Sequence, residues 1–140
     1  MIIKEIMSKK LVTVDLNQTV EEACDIYKNQ KVGCLVVTNQ DEIAGLITER
    51  DVIERTICND KDPKTTLVKE IMSADIKTVD AYDRIEEALD IMKTNKIKKL
   101  PVVTNNKLVG IITITDIAYT RPSIRRFLEI KQDKISTSTF

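Results

Sequence analysis

The chain has 140 residues, a length at which one compact domain can bury most of its apolar surface around a core. Its 22 basic and 22 acidic residues cancel, so the composition argues against nucleic acid and membrane partners. No apolar run reaches the ~18 residues of a membrane span, and the start of the chain lacks a signal-peptide pattern, which predicts a cytoplasmic protein. Histidine is absent, which removes the commonest general base and the commonest metal ligand. We therefore expect neither an enzyme nor a metal site.

The sequence contains an internal repeat of one unit. Lys4–Ser8 recurs letter for letter as Lys69–Ser73, and the same offset continues without a gap to the pair Asp51 and Asp116. Such self-similarity is the mark of a duplicated structural unit. Residues 1–58 are predicted to form the first repeat and residues 67–120 the second. The two repeats are expected to form one module.

Each repeat is predicted to contain a strand, a helix, two strands and a second helix. The first helices are amphipathic, and their apolar positions recur with helical spacing. These positions are Val20, Ala23, Cys24 and Tyr27 in the first repeat and Ile85, Ala88, Leu89 and Met92 in the second. Thr19 with Glu22, and Asp83 with Glu86, predict capping boxes at the helix starts. The runs after each helix are short and β-branched, with a polar turn between them, which predicts a hairpin.

Two segments lie outside the repeats. Residues 59–66 are polar and contain Pro63, so they are predicted to link the two units. Residues 121–140 are predicted to form a C-terminal helix and a tail, because Pro122 suits a first helical position and Ile124, Phe127 and Leu128 form an apolar stripe.

The end of each repeat carries a Gly-x-x-Thr-x-x-Asp motif where a strand is predicted to run into a helix. It places Thr48 and Asp51 three residues apart in the first repeat, and Thr113 and Asp116 in the second. The helix start and the threonine hydroxyl suit a phosphate, and the aspartate can accept hydrogen bonds from two sugar hydroxyls. The same spacing also forms an ordinary capping box. The spacing alone leaves both interpretations open.

Over about residues 1–120 the repeats resemble the cystathionine-β-synthase (CBS) domain family. The matching features are the Ile-Met-Ser and Thr-Val-Asp openings, the Glu-Glu-Ala helix, Lys99–Val103, and the closing Gly-x-x-Thr-x-x-Asp of both copies. The resemblance implies an α/β (α+β) fold in which two β-α-β-β-α repeats pack through their sheets with pseudo-two-fold symmetry, known as a Bateman module. It implies two ligand clefts and no prosthetic group. The implied ligands are AMP, ADP or ATP, and less often S-adenosylmethionine.

The resemblance also implies which residues line the clefts. The first cleft would hold ribose and phosphate on Thr48 and Asp51, with Lys98 near the phosphates. Leu46, Asp75, Ile76, Ile97 and Pro101 would surround the base. The second cleft would use Thr113 and Asp116 with Ile111, Lys10, Leu11, Val32 and Gly33. Because Gly33 stands where the other repeat has Lys98, the first cleft is expected to bind phosphorylated ligands more tightly.

Three functions remain open at this stage. The first is a non-catalytic module that senses adenine nucleotides, forms a homodimer and acts in trans on an effector protein that the sequence does not name. The second is a protein-interaction module whose clefts are empty or hold another ligand, such as a metal ion. The third is a small enzyme, which the lack of a catalytic constellation disfavours. The two intact Thr-x-x-Asp motifs favour the first over the second.

Overall fold

The computed structural model describes residues 1–122 and residue 126. The first repeat opens with a short 3-10 helix, Ile3–Glu5. Its strands and helices follow in the order β1 (Thr13–Asp15), α1 (Val20–Gln30), β2 (Cys34–Asn39), β3 (Glu42–Thr48) and α2 (Glu49–Val52). The helix α2 continues into a π-helical segment, Ile53–Ile57.

The second repeat has the same order of elements. They are α3 (Val68–Ile71), β4 (Val79–Asp80), α4 (Ile85–Asn95), β5 (Lys99–Thr104), β6 (Lys107–Thr113) and α5 (Ile114–Ala118). The predicted order of strand, helix, two strands and helix is confirmed in both repeats. Of the predicted C-terminal segment, residues 123–125 and 127–140 lie outside the described part of the chain.

The strands of the described residues form a six-stranded sheet in the order β1-β2-β3-β6-β5-β4. In each repeat the first strand is parallel to the second, and the second and third form an antiparallel hairpin. The two hairpins have the same register, so Cys34 lies opposite Thr48 as Lys99 lies opposite Thr113. The repeats meet where β3 pairs with β6 through Glu42 and Lys107.

The repeats exchange their first segments. Ile3 is fully buried in the core of the second repeat, and its N–H donates to the carbonyl of Asp83 at 2.9 Å. In the reciprocal contact Val68 is buried in the core of the first repeat, and its N–H donates to the carbonyl of Gln18 at 2.8 Å. Neither core is therefore complete without a segment of the other repeat, which makes one module of the two.

The two long helices begin differently. Thr19 caps α1 as predicted, because its Oγ1 accepts a hydrogen bond from the N–H of Glu22 at 3.2 Å. The predicted cap at Asp83 is wrong. The Asp83 carboxylate instead accepts from the N–H of Asp80 in the turn after β4, and α4 begins one residue later, after Arg84. A short acidic side chain bonds readily to a nearby turn, and here the turn competes successfully with the helix.

Candidate functional site

The Thr-x-x-Asp motifs lie where β3 runs into α2 and where β6 runs into α5. In both repeats the threonine Oγ1 accepts from the aspartate N–H at 3.1 Å, and the aspartate carboxylate accepts from the threonine N–H at 2.9 Å. The capping box is thus present twice. It leaves the threonine hydroxyl proton free to be donated and leaves the second carboxylate oxygen outside the box, so capping is compatible with a ligand contact.

The first cleft is a cavity of about 350 Å³ that contains Thr48 and Asp51. It brings together six of the residues predicted for it, which come from both repeats: Leu46, Thr48, Asp51, Asp75, Ile76 and Ile97. The sequence analysis did not assign four further residues that line it, namely Ser73, Lys77, Asn95 and Lys99. Lys98 and Pro101 lie outside this lining.

The lysine that lines the first cleft is one residue later in the chain than the predicted Lys98. Lys98 has an exposed side chain outside both clefts, and its carbonyl accepts the N–H of Ile114 at 2.9 Å. Lys99 is the first residue of β5 and lines the first cleft instead. Lys98 precedes β5, whereas Lys99 faces Thr113 across the hairpin. The hairpin register, in which Lys99 faces Thr113, is the signal that could have identified it.

The second cleft has a volume of about 360 Å³ and contains Thr113. Five of the residues predicted for it line it: Lys10, Val32, Gly33, Ile111 and Thr113. Seven further residues complete the lining, namely Ser8, Lys31, Cys34, Leu46, Lys99, Leu100 and Pro101. Pro101 therefore lines the second cleft, although it was predicted for the first. Asp116 and Leu11 lie outside this lining, and Leu11 instead lines an adjoining hollow together with Lys10.

A glycine on the last strand of each repeat allows the exchanged segment of the other repeat to approach the cleft wall. Leu46 and Ser73 exchange two backbone hydrogen bonds of 2.9 Å beside Gly45. A Cβ at Gly45 would lie 2.6 Å from the Ser73 carbonyl oxygen, and one at Gly110 would lie 2.8 Å from that of Ser8. Both contacts are too short for a side chain, so both walls require glycine.

The charges that line the clefts differ. The first cleft has Lys77 and Lys99 but also Asp51 and Asp75, whereas the described residues of the second include three lysines and no carboxylate. The expected preference of phosphorylated ligands for the first cleft rested on Lys98, which does not line it. Among the residues that do line the clefts, the second cleft has the greater excess of positive charge.

Two residues beside the clefts have environments set by burial. Burial raises the pKa of the Cys34 thiol; nearby Lys99 lowers it and Asp51 raises it, but both effects are smaller. The Tyr27 hydroxyl donates to the carbonyl of Ile47 at 2.6 Å, and burial raises its pKa. Both side chains are therefore neutral near pH 7, and the lysines and aspartates carry the charge of the clefts.

The family model for the CBS domain matches residues 3–57 and again residues 68–122. The chain belongs to the CBS-domain family. Its relatives include the CBS domain-containing protein YhcV of Bacillus subtilis, which is 34% identical over 121 residues that span 86% of each chain. The tandem CBS pair expected from the sequence is confirmed.

Solved structures of CBS proteins have the same fold. The crystal structure of Hypoxic Response Protein I with two coordinated zinc ions superposes with a TM-score of 0.80 at 28% identity, covering 87% of this chain and all of that one. A hexameric CBS-CP12 protein from bloom-forming cyanobacteria superposes with a TM-score of 0.73 at 29% identity, covering 89% of this chain and 74% of that one. These neighbours agree with the architecture of two CBS repeats.

Within residues 1–122 and 126, no helix has both the length and the apolar character required to cross a membrane. In the same part of the chain, no three cysteine, aspartate or glutamate side chains are grouped as metal ligands would be.

Proposed function

We propose that this chain is a non-catalytic, cytoplasmic regulatory module that binds adenine nucleotides in the two clefts between its CBS repeats. AMP, ADP and ATP are the proposed ligands, and S-adenosylmethionine is the alternative adenosyl ligand. Binding would shift a conformational or assembly equilibrium and so act in trans on an effector protein. A ligand shifts such an equilibrium only if it binds one state more tightly than the other.

One observation carries this proposal. The same kind of cleft occurs twice, and each combines a threonine at a helix start with apolar walls and lysines. The apolar walls suit a planar base, and the threonine hydroxyl and lysines suit a phosphate. Each volume, near 350 Å³, falls in the range of small-molecule sites.

A thermal-shift series tests the proposal directly. AMP, ADP, ATP and S-adenosylmethionine are each added to the purified chain, with guanosine monophosphate as the matched control for the base. A ligand at 100 times its Kd stabilises the folded state by about 2.7 kcal/mol, which raises the melting temperature by several degrees. If no adenosyl compound raises the melting temperature, the proposal is wrong.

Variants of the two aspartates locate the binding: Asp51 lines the first cleft, and Asp116, outside the second lining, is hydrogen-bonded to Thr113, which lines it. Replacing Asp51 and Asp116 together by alanine should abolish AMP binding in calorimetry. Each alanine also removes the hydrogen bond from the threonine N–H to the aspartate carboxylate, although the threonine hydroxyl still caps the helix, so the matched variant carries asparagine at both positions. The asparagine oxygen can still accept a hydrogen bond from the threonine N–H, but the side chain lacks the negative charge and the second oxygen of a carboxylate. Unchanged AMP affinity in a folded double variant would contradict ribose contacts by these residues.

The zinc ions of the Hypoxic Response Protein I structure make a metal ion the second candidate ligand. Zinc chloride therefore belongs in the same series. Stabilisation by zinc without stabilisation by any nucleotide would favour the protein-interaction module. Stabilisation by nucleotide alone would favour the sensor.

We also propose that the chain forms a homodimer. Ile53 and Ile57 lie one helical turn apart beyond α2 and are 54% and 61% exposed, which leaves an apolar stripe. The cyanobacterial neighbour described as hexameric supports self-association. Light scattering should give the mass of two chains, and Ile53→Glu with Ile57→Lys should give that of one. A single-chain mass at all concentrations in the unaltered protein would contradict the dimer.

A further inference from the structure

Lys99 lines both clefts. It begins β5 opposite Thr113, and cross-strand partners lie side by side on one face of a sheet, so it is next to the threonine of the second cleft. It also lines the first cleft together with Thr48 and Asp51. The same lysine therefore belongs to the linings of both cavities.

The repeat symmetry makes this arrangement unusual. The position related to Lys99 is Cys34, which begins β2 opposite Thr48 in the same register. Cys34 lines the second cleft but not the first, and burial keeps its thiol neutral. Two symmetric repeats would place one such cation from each side between the clefts. Here the second repeat supplies a lysine and the first supplies an uncharged thiol.

The other lysines of the clefts do not replace it. Lys77 lines the first cleft, and Lys10 and Lys31 line the second, so each of them serves one cleft. Leu46 is also common to both linings, which makes the two cavities neighbours that share a wall. Lys99 is therefore the charged residue that the linings of the two adjacent cavities share.

We propose that Lys99 is a phosphate ligand shared by the two clefts, so that they bind phosphorylated nucleotides anticooperatively. The first nucleotide engages the ammonium group, and the second binds without it. The inference rests on the proposed nucleotide binding. Its signature is a coupling between sites, because a charge-assisted contact changes affinity by about tenfold and Lys99 can make it fully in one cleft at a time.

The test uses AMP as the probe and measures each cleft with the other disabled. Asp51→Asn disables the first cleft while keeping its cap. Gly33→Trp narrows the second, and a Cβ at Gly33 meets only Glu49, at 4.0 Å, so the backbone has room for a side chain. Lys99→Met is then added to the unaltered chain and to both single-cleft variants. Lys98→Met is the matched control, since Lys98 is the neighbouring lysine that lines neither cleft.

The shared ligand predicts a specific pattern in calorimetry. Lys99→Met should weaken AMP binding about tenfold in each single-cleft variant. In the chain with both clefts, the product of the two binding constants should fall about tenfold, since Lys99 contributes once. Two independent contacts would lower this product about a hundredfold, and that result would overturn the proposal. Loss in only one single-cleft variant would overturn it as well. Lys98→Met should change neither cleft.

The converse variant restores the missing cation. Cys34→Lys places a lysine at the position related to Lys99 in the lining of the second cleft, which leaves Lys99 to the first cleft, so the second AMP to bind should do so about tenfold more tightly than in the unaltered chain. A folded Cys34→Lys protein with unchanged second-site affinity would contradict sharing. If neither cleft binds AMP in any protein, the proposed function fails and this inference fails with it. Two uncoupled sites would leave the proposed function intact and overturn the sharing alone.

Discussion

The first and second clefts have the same backbone and different charges. Their helix caps have matching hydrogen bonds of 2.9 and 3.1 Å, and each wall needs a glycine where an exchanged segment approaches. Their linings nevertheless differ, because two aspartates offset the lysines of the first cleft and no carboxylate lines the described second cleft. The duplication has kept the residues that fix the backbone in both copies. Related positions outside the caps and the glycine contacts carry the difference, such as Asp75 in the first cleft and Lys10 in the second.

The largest expected effect tests the common backbone. Gly45→Ala should lower the free energy of unfolding by about 1–3 kcal/mol, because its Cβ would lie 2.6 Å from a carbonyl oxygen that holds the wall together. Gly110→Ala should have a similar effect, since its closest approaches are 2.7 and 2.8 Å. Urea unfolding measures both changes.

Gly33→Ala is the matched control for these two variants. Its new Cβ would meet nothing closer than 4.0 Å, so its stability should change by no more than about 1 kcal/mol. If Gly45→Ala were as stable as Gly33→Ala, the wall would be more adaptable than its geometry indicates. A large difference between Gly45→Ala and Gly110→Ala would show that the two walls are not equivalent.

The sequence predicted the features that the two repeats have in common. The duplication, the order of elements and the Thr-x-x-Asp caps all follow from local patterns, and the structure confirms them. The resemblance to the CBS family grouped Leu46, Asp75 and Ile97 with Thr48, and all four line the first cleft.

The residues that the structure places differently depend on details which no local pattern contains. The family resemblance pointed to Lys98, whereas Lys99, the first residue of β5, lines the first cleft. Pro101 was assigned to the first cleft although it lines the second, and the exchange of Ile3 and Val68 between cores was not foreseen. Such placements follow from tertiary packing between the repeats.

The second prediction sharpens the difference in charge. ATP carries more phosphate charge than AMP, so the ratio of ATP to AMP affinity should be about tenfold higher in the second cleft than in the first. Gly33→Trp narrows the second cleft, so calorimetry on this variant measures the first. Asp51→Asn disables the first cleft, so calorimetry on that variant measures the second. The difference should shrink as salt is raised from 50 to 500 mM, because these side chains are solvent-accessible.

A charge variant of the first cleft provides the control for this prediction. Asp75 is exposed, and Asp75→Asn should raise the ATP affinity of the first cleft by up to about fivefold, the size of one exposed charge contact. Equal ATP to AMP ratios in both clefts, independent of salt, would mean that the lining charges do not reach the phosphates.

The smallest expected effect comes from the one cysteine that lines a cleft. Cys34 lines the second cleft, and burial raises the pKa of its thiol, so iodoacetamide should modify it more slowly than the exposed Cys58. The raised pKa also means that the rate at Cys34 should climb as the pH rises above neutrality, because the thiolate is the reacting form.

AMP at twice its second-cleft Kd should slow this modification about threefold, since only the unoccupied third of the molecules would react. Mass spectrometry of the alkylated peptides reports both rates in one sample, with Cys58 as the internal control. Asp51→Asn should maintain or strengthen the protection, because it disables the other cleft, which competes for Lys99. If Asp51→Asn removes the protection, or if AMP slows Cys58 equally, Cys34 does not report on the second cleft and the assignment of its lining is wrong.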